Sequence, residues 1–130
     1  MIFLDTSAAY AAIDVADPNH RDAAERLQTA HQQRIPVLTH NYVVLESTAL
    51  IQRRLGLHAA LSFLKDTRLL KVHWVTQNEH HAAVRLLERR GKRNLSLVDC
   101  MSFVVMKHYG ITTALAYDSD FQAEGFDALA

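Results

Sequence analysis

Ile2-Phe3-Leu4-Asp5-Thr6-Ser7 opens the chain with three apolar residues ending on a carboxylate, backed by two hydroxyl side chains and the helix-forming Ala8 and Ala9. The run reads as a short buried strand that delivers Asp5 at its C-terminal end and passes at once into a helix over residues 8–13. That edge is where open α/β sheets place their ligands. Three later places repeat the theme of an acid at the border of an apolar segment: Glu46 after Tyr42-Val43-Val44-Leu45, Asp99 inside Leu97-Val98-Asp99-Cys100-Met101, and Asp118 and Asp120 after Ala114-Leu115-Ala116-Tyr117. An unpaired buried carboxylate is costly, so several in one small chain point to a cation that holds them together.

Outward from the first strand, the pattern alternates. Asp17-Pro18-Asn19 is punctuation; Ala23, Ala24, Leu27 and Ala30 then recur at helical spacing to about residue 33, and residues 36–39 form a second short strand. Asn41 is placed to cap a helix over 42–55 that Gly56 stops, and a further helix carries Leu57, Leu61 and Leu64 on one face with Phe63 beside it. Residues 69–75 read as a third strand and 77–90 as a helix closed by Gly91. Ser96 caps a helix running to Tyr109 and Gly110, residues 111–116 form a fourth strand, and the tail from Phe121 adds a weaker fifth. The expectation is a single α/β domain over residues 1–130, three-layered, with a central parallel sheet of four to five short strands flanked by helices. In such a sheet the acids after the first and fourth strands meet only if those strands are neighbours.

Composition narrows the class. Fourteen basic and fourteen acidic residues balance, so bulk charge argues neither for nor against nucleic acid. One cysteine, Cys100, excludes an internal disulfide, no apolar run approaches the roughly 20 residues of a membrane span, and the N-terminus lacks the basic region of a signal peptide. A soluble cytoplasmic protein is expected.

Carboxylates with no His or Cys at ligand spacing suit Mg²⁺ or Mn²⁺ better than zinc. With three or four of them, two ions about 4 Å apart become possible, an arrangement suited to in-line phosphodiester hydrolysis. Each acid also has a plainer reading. Asp5 fits a helix N-cap, Ser96 with Asp99 a capping box with Asp in place of Glu, Glu46 an exposed helix position, and Asp118 with Asp120 an Asp-rich turn. The run Arg89-Arg90-Gly91-Lys92-Arg93-Asn94 is either a solvated helix end or, through Arg90, Lys92 and Arg93, a contact for an RNA backbone beside Asp99.

Four segments in order, I-F-L-D-T-S, V-L-E-S, N-L-S-L-V-D and L-A-Y-D-S-D-F with G-F close behind, resemble the PIN domain across nearly the whole chain, and at this size the VapC-type toxins of toxin–antitoxin pairs. The resemblance implies a parallel sheet, a Mg²⁺- or Mn²⁺-dependent ribonuclease, a homodimer, and an antitoxin whose tail covers the active site. By it, Asp5, Glu46, Asp99 and Asp118 match the acidic quartet and Asp120 a further acidic position, all as metal ligands, with Thr6 and Ser7 towards the metal shell or phosphate; Ser96 is a further substrate-binding candidate. The family often has Thr two residues before the fourth acid; Ala116 stands there, which removes a possible hydrogen bond but no ligand.

Two other classes stay open. One is a non-catalytic module binding RNA or a partner through the same fold. The other is a haloacid dehalogenase-type phosphatase, suggested by an apolar strand ending in Asp-Thr, although that family needs a second Asp where Ser7 stands. The helix pair from Tyr42 to Lys65 carries Val43, Val44, Leu50, Ile51, Leu55, Leu57, Leu61, Phe63 and Leu64, more than a sheet this small can cover, so an exposed apolar patch for a partner is expected.

Overall fold

In the computed structural model, which describes residues 1–129, five parallel strands form one sheet in the order β3-β2-β1-β4-β5. These are β1 (Ile2–Leu4), β2 (Val37–His40), β3 (Lys71–His73), β4 (Thr113–Leu115) and β5 (Asp127–Ala128). The helices are α1 (Thr6–Ile13), α2 (His20–Gln32), α3 (Asn41–Leu55), α4 (Leu57–Asp66), α5 (Gln77–Arg90), α6 (Leu97–Tyr109) and α7 (Asp120–Ala123). The strand order makes β1 and β4 neighbours, with Leu4 in register with Leu115. The acids that follow these two strands are therefore brought to one edge.

Successive strand residues face opposite sides of a sheet, and the core divides accordingly. Phe3, Leu38 and Ala114 pack with Met101, Phe103, Met106 and Phe121 on the α5–α6 side. Leu4, Val37 and Leu115 pack with Ala9, Ile51, Ala60 and Phe63 on the α1–α4 side. Cys100 is buried and unpaired in the first of these layers, and burial pushes its thiol up to about 11, so it is packing rather than a nucleophile.

Several boundaries differ from those read in the sequence. Helix α1 begins at Thr6 because Asp5 caps it, accepting from the Ser7 amide at 3.2 Å. His40, not Asn41, caps α3: its ring Nδ1 accepts from the Val43 amide, while the Asn41 side-chain oxygen accepts from the Val75 amide at 2.7 Å. Strand β3 is only three residues long: Thr67–Leu69 coil into a 3₁₀ turn before it, and Trp74 and Val75 already belong to the connection into α5. Phe121 belongs to α7, a single turn that drops its ring between Phe3 and Phe103, and the fifth strand follows later. On α4 the leucine stripe is the outward face. Ala60 and Phe63 are buried, whereas Leu57, Leu61 and Leu64 are exposed. Among the described residues no helix is long and apolar enough to cross a membrane.

Because Phe121 anchors the segment that carries Asp118 and Asp120, Phe121→Ala is expected to cost about 3–5 kcal/mol in urea unfolding. Leu57→Ala, on the exposed stripe, is expected to cost less than about 0.5 kcal/mol.

Candidate active site

Asp5 leaves the C-terminal end of β1 with its amide bonded to the Leu115 carbonyl of β4 at 3.1 Å, so its position is fixed by the sheet itself. Its Oδ2 accepts from the Ser7 hydroxyl at 2.6 Å, and the same Ser7 oxygen accepts from the Tyr117 amide at 3.0 Å. Ser7 thus braces Asp5 against the segment leading to Asp118. Tyr117 is held in turn by its phenol, which donates to Asp22 of α2 at 2.5 Å.

Asp99 arrives from the other direction, as the third residue of α6. The capping box read in the sequence is present: Ser96 Oγ accepts from the Asp99 amide at 3.0 Å and Asp99 Oδ2 accepts from the Ser96 amide at 3.1 Å. Capping occupies only part of that carboxylate. One carboxylate oxygen from each of Asp5, Asp99 and Asp118 lies within 4.8 Å of the other two. Asp118 is fixed by a turn in which its Oδ1 accepts from the Asp120 amide at 3.0 Å.

No Lys or Arg forms an ion pair with this triple among the described residues. Asp5 is only 2% exposed, and its Oδ1 has no hydrogen-bond partner. Burial, with Asp118 and Asp99 adding repulsion, lifts its carboxyl to about 7; burial also raises Asp99 and Asp118 above the usual carboxylate range. Three converging hard oxygen donors with an orphaned buried oxygen among them fit a divalent cation that prefers oxygen ligands.

The other residues singled out in the sequence take different positions. Glu46 is exposed on α3 and stays outside the triple, and Asp120 lies beside it, close enough for its charge to raise Asp99 and Asp118. Thr6 is buried with its hydroxyl unpartnered. Arg90 is not free: its guanidinium grips Glu124 through two bonds of 2.9 and 2.6 Å. Lys92 and Arg93 are exposed and form no ion pair among the described residues.

Sequence reasoning passed over Thr39 and His40, both buried at the end of β2. Thr39 donates to the Leu4 carbonyl at 2.9 Å, and His40 Nε2 meets Ser102 Oγ at 2.9 Å. A polar histidine at the junction of strand and helix carries no periodic signal of burial.

The PIN domain model matches residues 2–126. This chain belongs to the PIN domain family. Among characterised relatives, the 23S rRNA-specific endonuclease VapC20 of Mycobacterium tuberculosis is 37% identical over 97% of this chain and 95% of its own length. Ribonuclease VapC26 of the same species is 26% identical over 90% of this chain and 86% of its own. The crystal structure of VapC20, described as a sarcin–ricin loop cleaving toxin, superposes with a TM-score of 0.87 at 36% identity, covering 97% of this chain and 96% of that one. FitAcB from Neisseria gonorrhoeae shares the fold, with a TM-score of 0.69 at 16% identity over 100% of this chain and 97% of the other. The parallel sheet of this PIN domain is thus the expected one.

The electrostatics yield a stability test free of any assay for activity. A carboxyl at 3.8 unfolded and about 7 folded makes the native state bind the extra proton between those values, so its ionisation removes stability as pH rises through 7. Asp5→Asn is therefore expected to raise the metal-free unfolding free energy at pH 8, by up to about 3 kcal/mol after loss of the charged Ser7 bond. The gain should fade as pH falls towards 4. Calorimetric unfolding in chelator across that range measures it.

Proposed function

We propose that this PIN domain protein is a metal-dependent endoribonuclease, the toxin of a toxin–antitoxin pair, acting as one domain over residues 1–130. The convergence of Asp5, Asp99 and Asp118, with Asp5 Oδ1 buried and unpartnered, is the observation that carries this reading. Asp5, Asp99 and Asp118 would hold Mg²⁺ or Mn²⁺, with Asp120 beside them and Glu46 as a further candidate. When bound, such an ion supplies charge neutralisation at a phosphate oxygen and a water of lowered pKa. The chain's own part is positional: Ser7 orients Asp5, Ser96 orients Asp99, and the Thr6 hydroxyl, buried and without a protein partner, would reach at most the ion's water shell. RNA as substrate is supported by the likeness to VapC20, and 23S rRNA is the first substrate to test. Action on 23S rRNA would be cytoplasmic.

Two apolar surfaces support the assembly expected of such a toxin. Leu45 at 71% and Trp74 at 73% exposure line a face with Leu64, on α3, α4 and the segment just after β3; with Leu57 and Leu61, exposed on α4 as well, it is a surface that a second copy would cover. An adjoining groove of about 330 Å³ lined by Leu4, Ala9, Ile13, Leu27, Phe63 and Leu70 would receive side chains of an antitoxin helix.

Incubation of the purified protein with 23S rRNA, with and without Mg²⁺ or Mn²⁺, tests the reading. Cleavage at a defined site is expected with metal and none in chelator, and Asp5→Asn and Asp99→Asn should each lose at least about 100-fold. Wild-type cleavage by both variants would remove the assignment and leave the non-catalytic binding module.

The basic loop gives a second outcome. Lys92→Ala with Arg93→Ala should flatten the salt dependence of RNA binding by about 0.7–0.9 logarithmic units of slope for each phosphate no longer neutralised. Arg90→Ala should leave the slope nearly unchanged, because its charge is already committed to Glu124.

A further inference from the structure

His40 is fully buried and lies outside the carboxylate triple, yet it is the side chain through which three elements around that triple are joined. Its ring Nδ1 accepts from the Val43 amide in the first turn of α3 at 3.3 Å, so that nitrogen carries no proton. Burial, then the neighbouring His73, pushes the imidazolium down to about 3, so the ring is neutral and its one proton is on Nε2. Nε2–H therefore donates to Ser102 Oγ at 2.9 Å, and the Ser102 hydroxyl, with its acceptor side taken, donates to the Val98 carbonyl at 3.0 Å. The direction of every proton in this chain is fixed, and it ends on the residue before Asp99. The preceding residue, Thr39, donates to the Leu4 carbonyl, the residue before Asp5. Two successive residues of β2 thus grip the backbone next to two carboxylates that arrive on different elements.

We infer that His40, as a neutral Nε2–H donor to Ser102, is a positioning residue that sets the first turn of α6 and so holds Asp99 at ligand distance from Asp5. The inference rests on the proposed metal site. Among the described residues no other side-chain hydrogen bond ties β2 to α6; Phe3 at 5.6 Å and Tyr42 at 5.9 Å flank the imidazole without hydrogen-bonding it. Partners one shell out from a metal ligand typically govern affinity by 10–100-fold. Acting through Ser102 and the helix, His40 belongs at the lower end of that range.

Two amide side chains separate its roles. The Asn side-chain oxygen stands where His Nδ1 does, so His40→Asn keeps the cap on α3 and loses the donor to Ser102. Gln places its amide nitrogen near the position of Nε2, so His40→Gln keeps the donor and loses the cap. Ser102→Ala removes the link with the least change of shape and covers the case in which the His40 variants do not fold.

The test is calorimetric titration of each folded full-length variant with Mn²⁺, together with kcat and KM for RNA, with Asp99→Asn as the control for removal of a ligand. Ser102→Ala and His40→Asn are expected to weaken Mn²⁺ binding about tenfold and to lower kcat about tenfold with KM little changed; His40→Gln is expected to stay within about threefold of wild type. Ser102→Ala binding Mn²⁺ as wild type does, while Asp99→Asn does not, would overturn the positioning role alone. Equal losses in His40→Asn and His40→Gln would overturn it too, by making His40 a matter of stability. A wild-type protein that binds no Mn²⁺ would overturn the metal site beneath it.

Discussion

Three carboxylates forced to within 4.8 Å of one another, one of them almost fully buried, are the condition around which the rest of the molecule is arranged. Water would separate such charges, and the fold prevents it by fixing each backbone independently. Asp5 is held by the β1–β4 ladder, Asp99 by its capping box, and Asp118 by its turn and the Phe121 anchor. Among the described residues, no cation of the chain itself pairs with the triple to relieve the repulsion. The site is therefore a store of unfavourable electrostatics that a bound divalent ion would discharge, and stability is given up locally for binding.

Asp5, Asp99 and Asp118 were legible because their places in the pattern are rigid: the end of a strand, the third position of a capped helix, the turn after the neighbouring strand. The capping box around Ser96 was correct as a local reading and incomplete as a description, since spacing cannot say where the second carboxylate oxygen goes. Glu46 shows the opposite limit. Val43, Ser47 and Ile51, at intervals of four, are the buried row of α3, and that rotation leaves Glu46 exposed. A shift in helix phase that a stripe of mixed residues does not specify decides where such an acid points.

Helix α4 shows the excess apolar surface expected of the Tyr42–Lys65 helix pair. Leu57, Leu61 and Leu64 form the cleanest apolar row in the chain, but the sheet is covered by Ala60 and Phe63 instead, and the leucines face outward. Hydrophobic spacing identifies a helix and a face; it does not say whether that face meets its own core or another molecule. The pairing of Arg90 is not legible in the sequence because its partner Glu124 lies 34 residues away, a separation that only the packing of α5 beside the C-terminal segment closes. Short strands of two to four residues explain the remaining shifts in boundaries. In so small a sheet, the loss of two residues at each end leaves three of the seven expected for β3.

The central claim is that the three carboxylates converge to hold one kind of ion. Anomalous diffraction from crystals grown with Mn²⁺ tests it directly. A peak at about 2.0–2.3 Å from oxygens of Asp5, Asp99 and Asp118, with the formerly orphaned Asp5 Oδ1 among its ligands, is the result expected. A peak held elsewhere, or none at saturating Mn²⁺, would contradict it.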